Sequence, residues 1–301
     1  MATGKEAFKE LMEETTVAMN TIYDDFKNRM QSQFEQFYNV EDQTKLTTTD
    51  YQMAGFGEAV RMPELTDFPS DEMLSGGTVS YTGDYYGLSA TLSHQALKYD
   101  QKGLLKQAPK SLAKSMFHLI QTSAANIFNY GYVTTNKTGF DGLALFSDSH
   151  TRLDGGTVLS NMTSTPASLT VTSLQEARTA LRTTLDERGK KDPRFATVLV
   201  VPPQLEQTAE EIIKSPQRPD TGNRGINVLN NKLTIKVWDY LTYPSRWFVM
   251  ADDHDLKWKW LEKVQRDSEE GKRNLSMTYY TYCAFAYGFG DWRGVYGSGA
   301  A

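Results

Sequence analysis

The chain has 301 residues, of which 39% are hydrophobic and 23% charged, and this much apolar material predicts a folded core rather than disorder. The net charge of −5 argues against a main surface that grips nucleic acid, since phosphate binding needs clustered Lys and Arg. The single cysteine, Cys283, excludes an internal disulfide and a cysteine-based zinc site, and the sequence predicts neither a signal peptide nor a membrane-spanning stretch.

The first element is a long amphipathic helix, predicted over residues 5–39. Apolar residues recur there at steps of three and four, as one face of a helix requires. This stripe consists of Phe8, Leu11, Met12, Thr15, Met19, Ile22, Phe26, Met30, Phe34 and Phe37. Such a stripe needs a covering surface, and two interpretations stay open. The helix docks on its own domain, or it is an arm that lies on a neighbouring subunit.

Residues 55–95 change character, because glycines and prolines punctuate short extended runs. The runs at 59–62, 78–82 and 85–92 are rich in β-branched and aromatic residues, which favours strands. We interpret the segment as a long hairpin with a wide loop. It has too few large aliphatic residues for a core of its own, so we expect it to lean on another surface.

A second long helix is predicted over residues 102–132, where Pro109 either opens the helix or bends it. Residues 133–172 are predicted to be mostly loop. Beyond them, Ser173 with Glu176 has the spacing of a capping box and predicts a helix to residue 187.

The carboxy-terminal half predicts helices alternating with strands around a mixed sheet, so the fold class is α+β. The apolar run at 196–201 suits a buried central strand. A helix follows at 204–215, then a polar loop at 216–231. Further strands are predicted at 233–238, 247–251, 256–260 and 277–287.

Residues of catalytic or metal-binding type occur, but not in patterns that predict a site. The cluster Asp252, Asp253, His254 and Asp255 could bind a cation, yet Asp-rich turns after strands are far commoner. Residues 147–150 include serines, an aspartate and His150, but residues so close in sequence rarely fold into a catalytic triad. We therefore predict no catalytic, cofactor-binding or metal site and no enzymatic activity.

Four segments, in this order and at this chain length, resemble the major capsid proteins of tailed bacteriophages, in particular the Mu-like major head subunit family. They are residues 141–150 (DGLALFSDSH), 199–206 (LVVPPQLE), 247–252 (WFVMAD) and 287–298 (YGFGDWRGVYGS). The resemblance implies a self-assembling subunit of the icosahedral shell that encloses the phage genome.

The same resemblance implies the organisation of the chain. Residues 1–54 correspond to an N-terminal arm and 55–95 to an extended hairpin loop that reaches over a neighbouring subunit. Residues 96–164 correspond to the peripheral domain, with the long predicted helix as its spine. Residues 165–250 correspond to the axial domain at the centre of each pentamer or hexamer, and 251–301 to returning peripheral strands.

The implied partners are further copies of the chain, with possible scaffold, portal and decoration proteins. Double-stranded DNA would be packaged without sequence-specific contacts, and no membrane is involved. The implied location is the virion, after assembly in the host bacterial cytoplasm. Some members of the wider fold cross-link through a lysine on the extended loop, but residues 56–95 contain no lysine, so this reaction is not supported.

The distribution of charged residues predicts an ionic contact that holds the extended loop. Residues 56–95 carry six acids and one arginine, whereas four lysines recur at steps of four at the start of the long helix. We predict an intersubunit contact between the acids and the lysine row, with two solvated faces as the alternative. The candidates are Glu64, Asp67, Asp71, Glu72, Lys102, Lys106, Lys110 and Lys114.

The polar loop at 216–231 is predicted to lie at the capsomer axis. Its arginines would meet their symmetry mates there, so a carboxylate must pair with them. The candidates are Arg218, Asp220 and Arg224.

Two other functions remain open from the sequence. An encapsulin-like nanocompartment shell would share the fold but package an enzyme. A soluble hydrolase would use His150 or the cluster at 252–255.

Overall fold

A computed structural model describes residues 4–29, 32–93, 95–96, 99, 104–163, 165–218, 225–271 and 276–299. Its helices are α1 (Gly4–Arg29), α2 (Leu104–Asn129), α3 (Val171–Arg182) and α4 (Glu206–Lys214), with short 3-10 helices at Phe34–Gln36 and Pro203–Leu205. Its strands are β1 (Asn39–Asp42), β2 (Thr47–Ala54), β3 (Leu74–Thr82), β4 (Asp84–Ser93), β5 (Ala196–Val201), β6 (Thr234–Val237), β7 (Phe248–Ala251), β8 (Leu256–Gly271), β9 (Ser276–Phe289) and β10 (Val295–Gly297). No helix among these residues is long and apolar enough to cross a membrane.

The chain forms two compact units, and it passes between them several times. The first unit is drawn from Met1–Thr47, Thr82–Ala124 and Trp258–Ala286. The second is drawn from Thr48–Tyr81, Ala125–Lys257 and Tyr287–Ala301. The mixed α+β class predicted from the sequence is confirmed.

The first unit is built on a sheet with the strand order β1-β8-β9-β4. β4 pairs antiparallel with β9, from Asp84 opposite Phe285 to Ser93 opposite Ser276. Aromatic rings pack against one another in its core, with Trp258 4.4 Å from Phe285 and 4.7 Å from Phe34, measured between ring centroids. Aromatic packing of this kind buries a large area for few residues.

Helix α1 is docked on its own unit through its second half. Met19 and Tyr23 are 0% and 2% exposed and pack with Leu112 of α2 and with Tyr279 of β9. The Tyr279 hydroxyl donates to the Asn20 side chain at 2.6 Å. For this half of the helix, the own-domain interpretation of the apolar stripe is therefore correct.

The helix is shorter than predicted, since it ends at Arg29 and not near residue 39. Phe34 and Phe37, predicted to belong to its stripe, are buried at and beside the 3-10 helix that follows. β1 then begins at Asn39. The apolar spacing continued beyond the helix because Phe34 and Phe37 are buried in the same unit.

The second unit contains a sheet with the order β10-β7-β5-β6, in which β5 pairs parallel with β6 and antiparallel with β7. Leu199, Val200 and Val201 are fully buried, so the predicted central strand is confirmed. Helices α3 and α4 contribute buried aliphatic side chains to the same core, among them Leu174 and Ile212.

The cap of α3 differs from the prediction. Thr170 is the N-cap and accepts from the Ser173 backbone N–H at 3.1 Å, while its own N–H donates to the Ser173 hydroxyl at 3.0 Å. Ser173 is thus the third helical residue, and Glu176 plays no part in the cap. The helix also ends at Arg182, five residues earlier than predicted, because residues beyond it form a tight turn described below.

The hairpin predicted within residues 55–95 is also different. β2 and β3 form a two-stranded sheet, with the Thr49 and Ser80 hydroxyls 2.9 Å apart, and the wide loop lies between these strands. β4 pairs with β9 and not with β3. A tight hairpin needs a turn of about two residues. Only Gly83 separates β3 from β4, so the two strands cannot fold back on each other.

Strand β8 runs for 16 residues, whereas the sequence predicted only 256–260. Its second part is rich in Glu, Lys, Arg and Asp and was not predicted to be a strand. From residue 262 to 269 half-buried and exposed residues alternate, as in a strand with one solvated face.

The burial of Met19 generates a test of the docking of α1. Met19→Ala should lower the free energy of unfolding by about 2–5 kcal/mol, because it leaves a cavity in a packed core. Val17→Ala is the matched control, since Val17 is 65% exposed on the same helix and its replacement should change stability by less than about 0.5 kcal/mol. Urea denaturation of unassembled subunits measures both. Equal, small effects would mean that α1 is not part of this core.

Candidate assembly interface

The segment between β2 and β3, residues 55–73, is termed the wide loop and has no helix or strand. Its large apolar side chains are bare in the single chain: Leu65 is 102% exposed and Phe68 is 87% exposed. The other exposed ones are Phe56, Val60, Met62 and Met73. Soluble monomers rarely concentrate exposed apolar residues in this way, so the wide loop has the character of an interaction surface.

Both ends of the wide loop are tied to one arginine of the same chain. The Arg188 guanidinium donates to the Gly55 carbonyl at 3.2 Å and to the Glu72 carbonyl, and it lies 3.3 Å from an Asp71 carboxylate oxygen. The Lys190 ammonium donates to the Phe56 carbonyl at 2.7 Å. These contacts, termed the root clamp, fix where the loop leaves its unit.

Asp71 closes the root clamp from the loop side. Its carboxylate accepts from the Gly57 backbone N–H at 2.6 Å. This hydrogen bond, assisted by the charge of Arg188, lowers the pKa of the Asp71 carboxyl below its usual value. A lowered folded-state pKa means that the contact is fully present at neutral pH and is lost only as the pH falls through that lowered value.

The turn that carries Arg188 and Lys190 is itself held by local hydrogen bonds. An Asp186 carboxylate oxygen accepts from the backbone N–H groups of Arg188 at 2.9 Å and of Lys190 at 2.7 Å. Gly189 has φ +76°, a conformation that favours glycine. The two cations of the root clamp therefore project from a defined turn.

The acidic contact candidates fall into different environments. Asp71 is engaged within its own chain by the root clamp. Glu72 contributes its backbone carbonyl to Arg188. Glu64 and Asp67 flank Leu65 and Phe68 in the exposed part of the loop. The intersubunit roles of all four stay predictions.

The lysine candidates lie at the start of α2. Lys110 and Lys114 are exposed on this helix, which confirms that they share a helical segment. Pro109 is inside the helix and does not open it. Lys102 lies outside the described residues, as does the side chain of Lys106. Their contact with the wide loop also stays a prediction.

The loop predicted at the capsomer axis begins as a ladder of backbone pairs. The Arg218 N–H donates to the Gly225 carbonyl at 2.9 Å, and Gln217 pairs with Ile226. Ile226 is 83% exposed. Asp220 and Arg224 lie outside the described residues, so the predicted pairing of arginine with carboxylate is not tested.

His150 is part of the core of the second unit. It is 0% exposed and stacks on Trp292 with ring centroids 4.1 Å apart. Its Nδ1 is 2.6 Å from an Asp141 carboxylate oxygen and its Nε2 is 3.2 Å from the Asn161 side-chain oxygen. Both ring nitrogens therefore have partners other than a serine. The Ser147 hydroxyl lies instead 3.2 Å from that of Ser149.

The acidic cluster at 252–255 is divided among separate partners. Asp252 accepts from the Thr197 hydroxyl at 2.6 Å, Asp253 pairs with Arg194, and Asp255 lies 3.0 Å from the Lys257 ammonium. Burial lowers the pKa of His254. Within the part of the chain that the structure describes, no group of three or more His, Cys, Asp or Glu side chains could hold a metal ion.

Solved structures similar to this chain include two phage heads or capsids and the capsid of a GTA particle. The head of Helicobacter pylori bacteriophage KHP40 has a TM-score of 0.55 at 10% identity, covering 89% of this chain and 91% of that chain. The capsid of the empty GTA particle has a TM-score of 0.54 at 8% identity, covering 89% of each. The capsid of Ralstonia phage GP4 has a TM-score of 0.54 at 9% identity, covering 84% of this chain and 82% of that chain. These likenesses confirm the predicted fold of tailed-phage capsid proteins.

No curated protein matches the sequence. The family model described as phage capsid protein matches residues 77–298, which is well over half of the chain. The Mu-like subfamily stays a prediction. The chain belongs to the phage capsid protein family, and it is a capsid shell protein.

Proposed function

We propose that copies of this chain associate as pentamers and hexamers into the icosahedral head that encloses a phage genome. The observation that carries the proposal is the wide loop, whose bare apolar side chains need a cover that a single chain does not provide. Repeated contacts between identical subunits provide that cover at every position of a closed shell.

The proposed role needs no catalysis. The two sequence clusters that suggested a hydrolase are taken up by hydrogen bonds and ion pairs inside the second unit. The family match is to phage capsid proteins, which supports a genome and not an enzyme as the cargo. A net charge of −5 supports packaging of DNA without a sequence-specific grip. Scaffold, portal and decoration proteins, with assembly in the host cytoplasm, belong to the same proposal.

Within the subunit, residues 55–95, 96–164, 165–250 and 251–301 take the roles of extended loop, peripheral domain, axial domain and returning strands. The role of residues 1–54 as an arm is narrower than the sequence suggested. Met19, Tyr23, Phe34 and Phe37 are buried in their own unit, so any reach to a neighbour falls to the residues before them.

The test of the proposed function is the particle itself. The chain expressed in bacteria should sediment as shells or capsomers and should show closed particles by electron microscopy, with any cargo identified as nucleic acid. A monodisperse monomer at every protein and salt concentration would contradict the proposal. Particles filled with an enzyme would favour the nanocompartment alternative.

The lysine row gives a charge-reversal test of the predicted loop contact. Lys110→Glu with Lys114→Glu should reduce shell yield while the isolated subunit stays folded, because both side chains are exposed. Each exposed ion pair contributes only about 0.2–1 kcal/mol, but a shell repeats the pair many times. Glu64→Lys with Asp67→Lys should partly restore the yield, and high salt should weaken the wild-type contact. Normal yield of the lysine variant at low salt would mean that the row is only solvated.

The root clamp gives a second test, because it presents the wide loop to a neighbour. Arg188→Ala removes the donors to Gly55 and Glu72, so proteases should cut residues 55–73 of the unassembled subunit several-fold faster. Lys191→Ala is the control, since Lys191 is exposed on the same turn. Mass spectrometry of the fragments locates the cuts. The same cleavage rate in both variants would show that the clamp does not order the loop.

A further inference from the structure

The wide loop has a projecting apolar group with acidic neighbours. Leu65 and Phe68 are each preceded by a carboxylate, Glu64 and Asp67. Leu65 has φ +63°, which is uncommon for a bulky side chain and marks a sharp local turn in the exposed stretch. Phe68 is 87% exposed, so its ring is not covered by its own chain.

The first unit holds a pocket of matching character, with a volume of about 320 Å³. Its wall is mainly apolar and includes Val40, Phe117, Trp260 and Val264. Its ionic side chains are Lys27, Lys263 and Glu35, so cations outnumber the carboxylate. Lys263 also pairs with Asp42 at 2.9 Å, which leaves Lys27 as the more available cation.

The pocket and the lysine row belong to one surface of α2. Lys110, Lys114, Phe117 and Gln121 follow one another at steps of four, three and four, which keeps side chains on one helix face. Lys110 and Lys114 are exposed, and Phe117 and Gln121 line the pocket. This face of α2 therefore leads from two cations directly into an apolar depression.

We propose that the pocket receives the Phe68 side chain from the wide loop of a second copy of this chain. Glu64 and Asp67 then face the cations that border the pocket. The inference rests on the proposed shell function and names the anchor of one contact within it. We assign a second copy of this chain as the occupant of the pocket, because the same chain exposes both the Phe68 side chain and the pocket. A contact between two different surfaces of identical subunits continues from copy to copy, as rings and shells require.

Phe68 is the anchor because of its size and its surroundings. An aromatic ring that enters a preformed apolar pocket desolvates both surfaces at little cost in side-chain entropy, and such residues dominate interface energetics. The acidic neighbours add selectivity, since opposite charges around an apolar centre disfavour other registers of the loop.

Cross-linking between two variants tests the contact. Phe68→Cys in one copy and Val40→Cys in another should form an intermolecular disulfide when co-expressed shells are mildly oxidised. Val264→Cys offers a second position in the pocket wall, because a disulfide needs Cα atoms within about 7 Å. The native Cys283 should not form competing disulfides, since burial raises the pKa of its thiol to about 12 and keeps it protonated. Non-reducing gels and peptide mass spectrometry identify the linked pair.

The control is Phe68→Cys with Val158→Cys, because Val158 is 58% exposed but does not line the pocket. Linkage to position 40 or 264 and not to 158 supports the proposal. Shells that form without linkage to either pocket position, or with equal linkage to 158, overturn it and leave the shell function intact. Absence of particles from the wild-type chain would instead overturn the proposed function.

If the cysteine variants do not assemble, replacing the Phe68 side chain by alanine tests the contact instead. Phe68→Ala should lower shell yield about tenfold or more, as loss of an interface anchor does. Val158→Ala should leave the yield unchanged. Both positions are exposed in the subunit, so neither change disturbs its fold. Unchanged yield with Phe68→Ala would overturn the proposal.

Discussion

The proposed function depends above all on the root clamp, which fixes where the wide loop leaves its unit. A loop with several bare apolar side chains would be a liability on a soluble monomer, because nothing would limit what it touched. Arg188 donates to backbone carbonyls at both ends of this loop and Lys190 donates to a carbonyl at its start, while the Asp71 carboxylate closes the clamp from the loop side. The apolar and acidic residues between the ends are then available for recognition. Fixing the root lowers the entropy that must be lost when the loop meets its partner.

Each of the two units of the subunit has a densely packed core of its own. In the first unit, Trp258 stacks on Phe285 and also contacts the Phe34 ring, while Met19 and Tyr23 pack α1 against α2 and β9. In the second unit, Phe146 stacks on Phe248 at 5.1 Å between centroids, next to the buried strand β5. Close-packed cores transmit strain rather than absorb it. A shell that repeats the same contact many times needs subunits that keep their shape in this way.

Local pattern was enough to predict much of the fold. The apolar run of β5, the period of α2 and the extended runs at 78–82 and 85–92 follow from neighbouring residues alone, because burial imposes a period of two or 3.6. The run at 59–62 was wrongly predicted as a strand, since it lies in the wide loop, and β2 was not predicted. The length of α1 was overestimated, since Phe34 and Phe37 continue the apolar spacing and are buried although they lie outside the helix. The second half of β8 was missed because its exposed face is highly charged.

The interface was harder to predict, because its decisive contacts join distant parts of the chain. The acidic character of the loop and the lysine row are visible in the sequence. The clamp is not, since Arg188 meets the Gly55 carbonyl across 133 positions and a carbonyl has no sequence signature. A local signal was the segment from Asp186 to Lys190, whose acid, glycine and cations suit a tight turn, although the predicted helix extended into it as far as residue 187. The pocket beside α2 likewise combines α1, β1, α2 and β8, and no single segment predicts it.

Hydroxyl-radical footprinting of the wild-type chain, assembled and dissociated, tests directly whether the wide loop is covered by a neighbouring subunit in the shell. It reports the solvent exposure of individual side chains without any substitution. We predict that labelling of Leu65 and Phe68 is strong in dissociated subunits, where both are exposed, and falls several-fold in shells. Equal labelling of these two residues in both states would contradict it, because the wide loop would then stay uncovered in the shell.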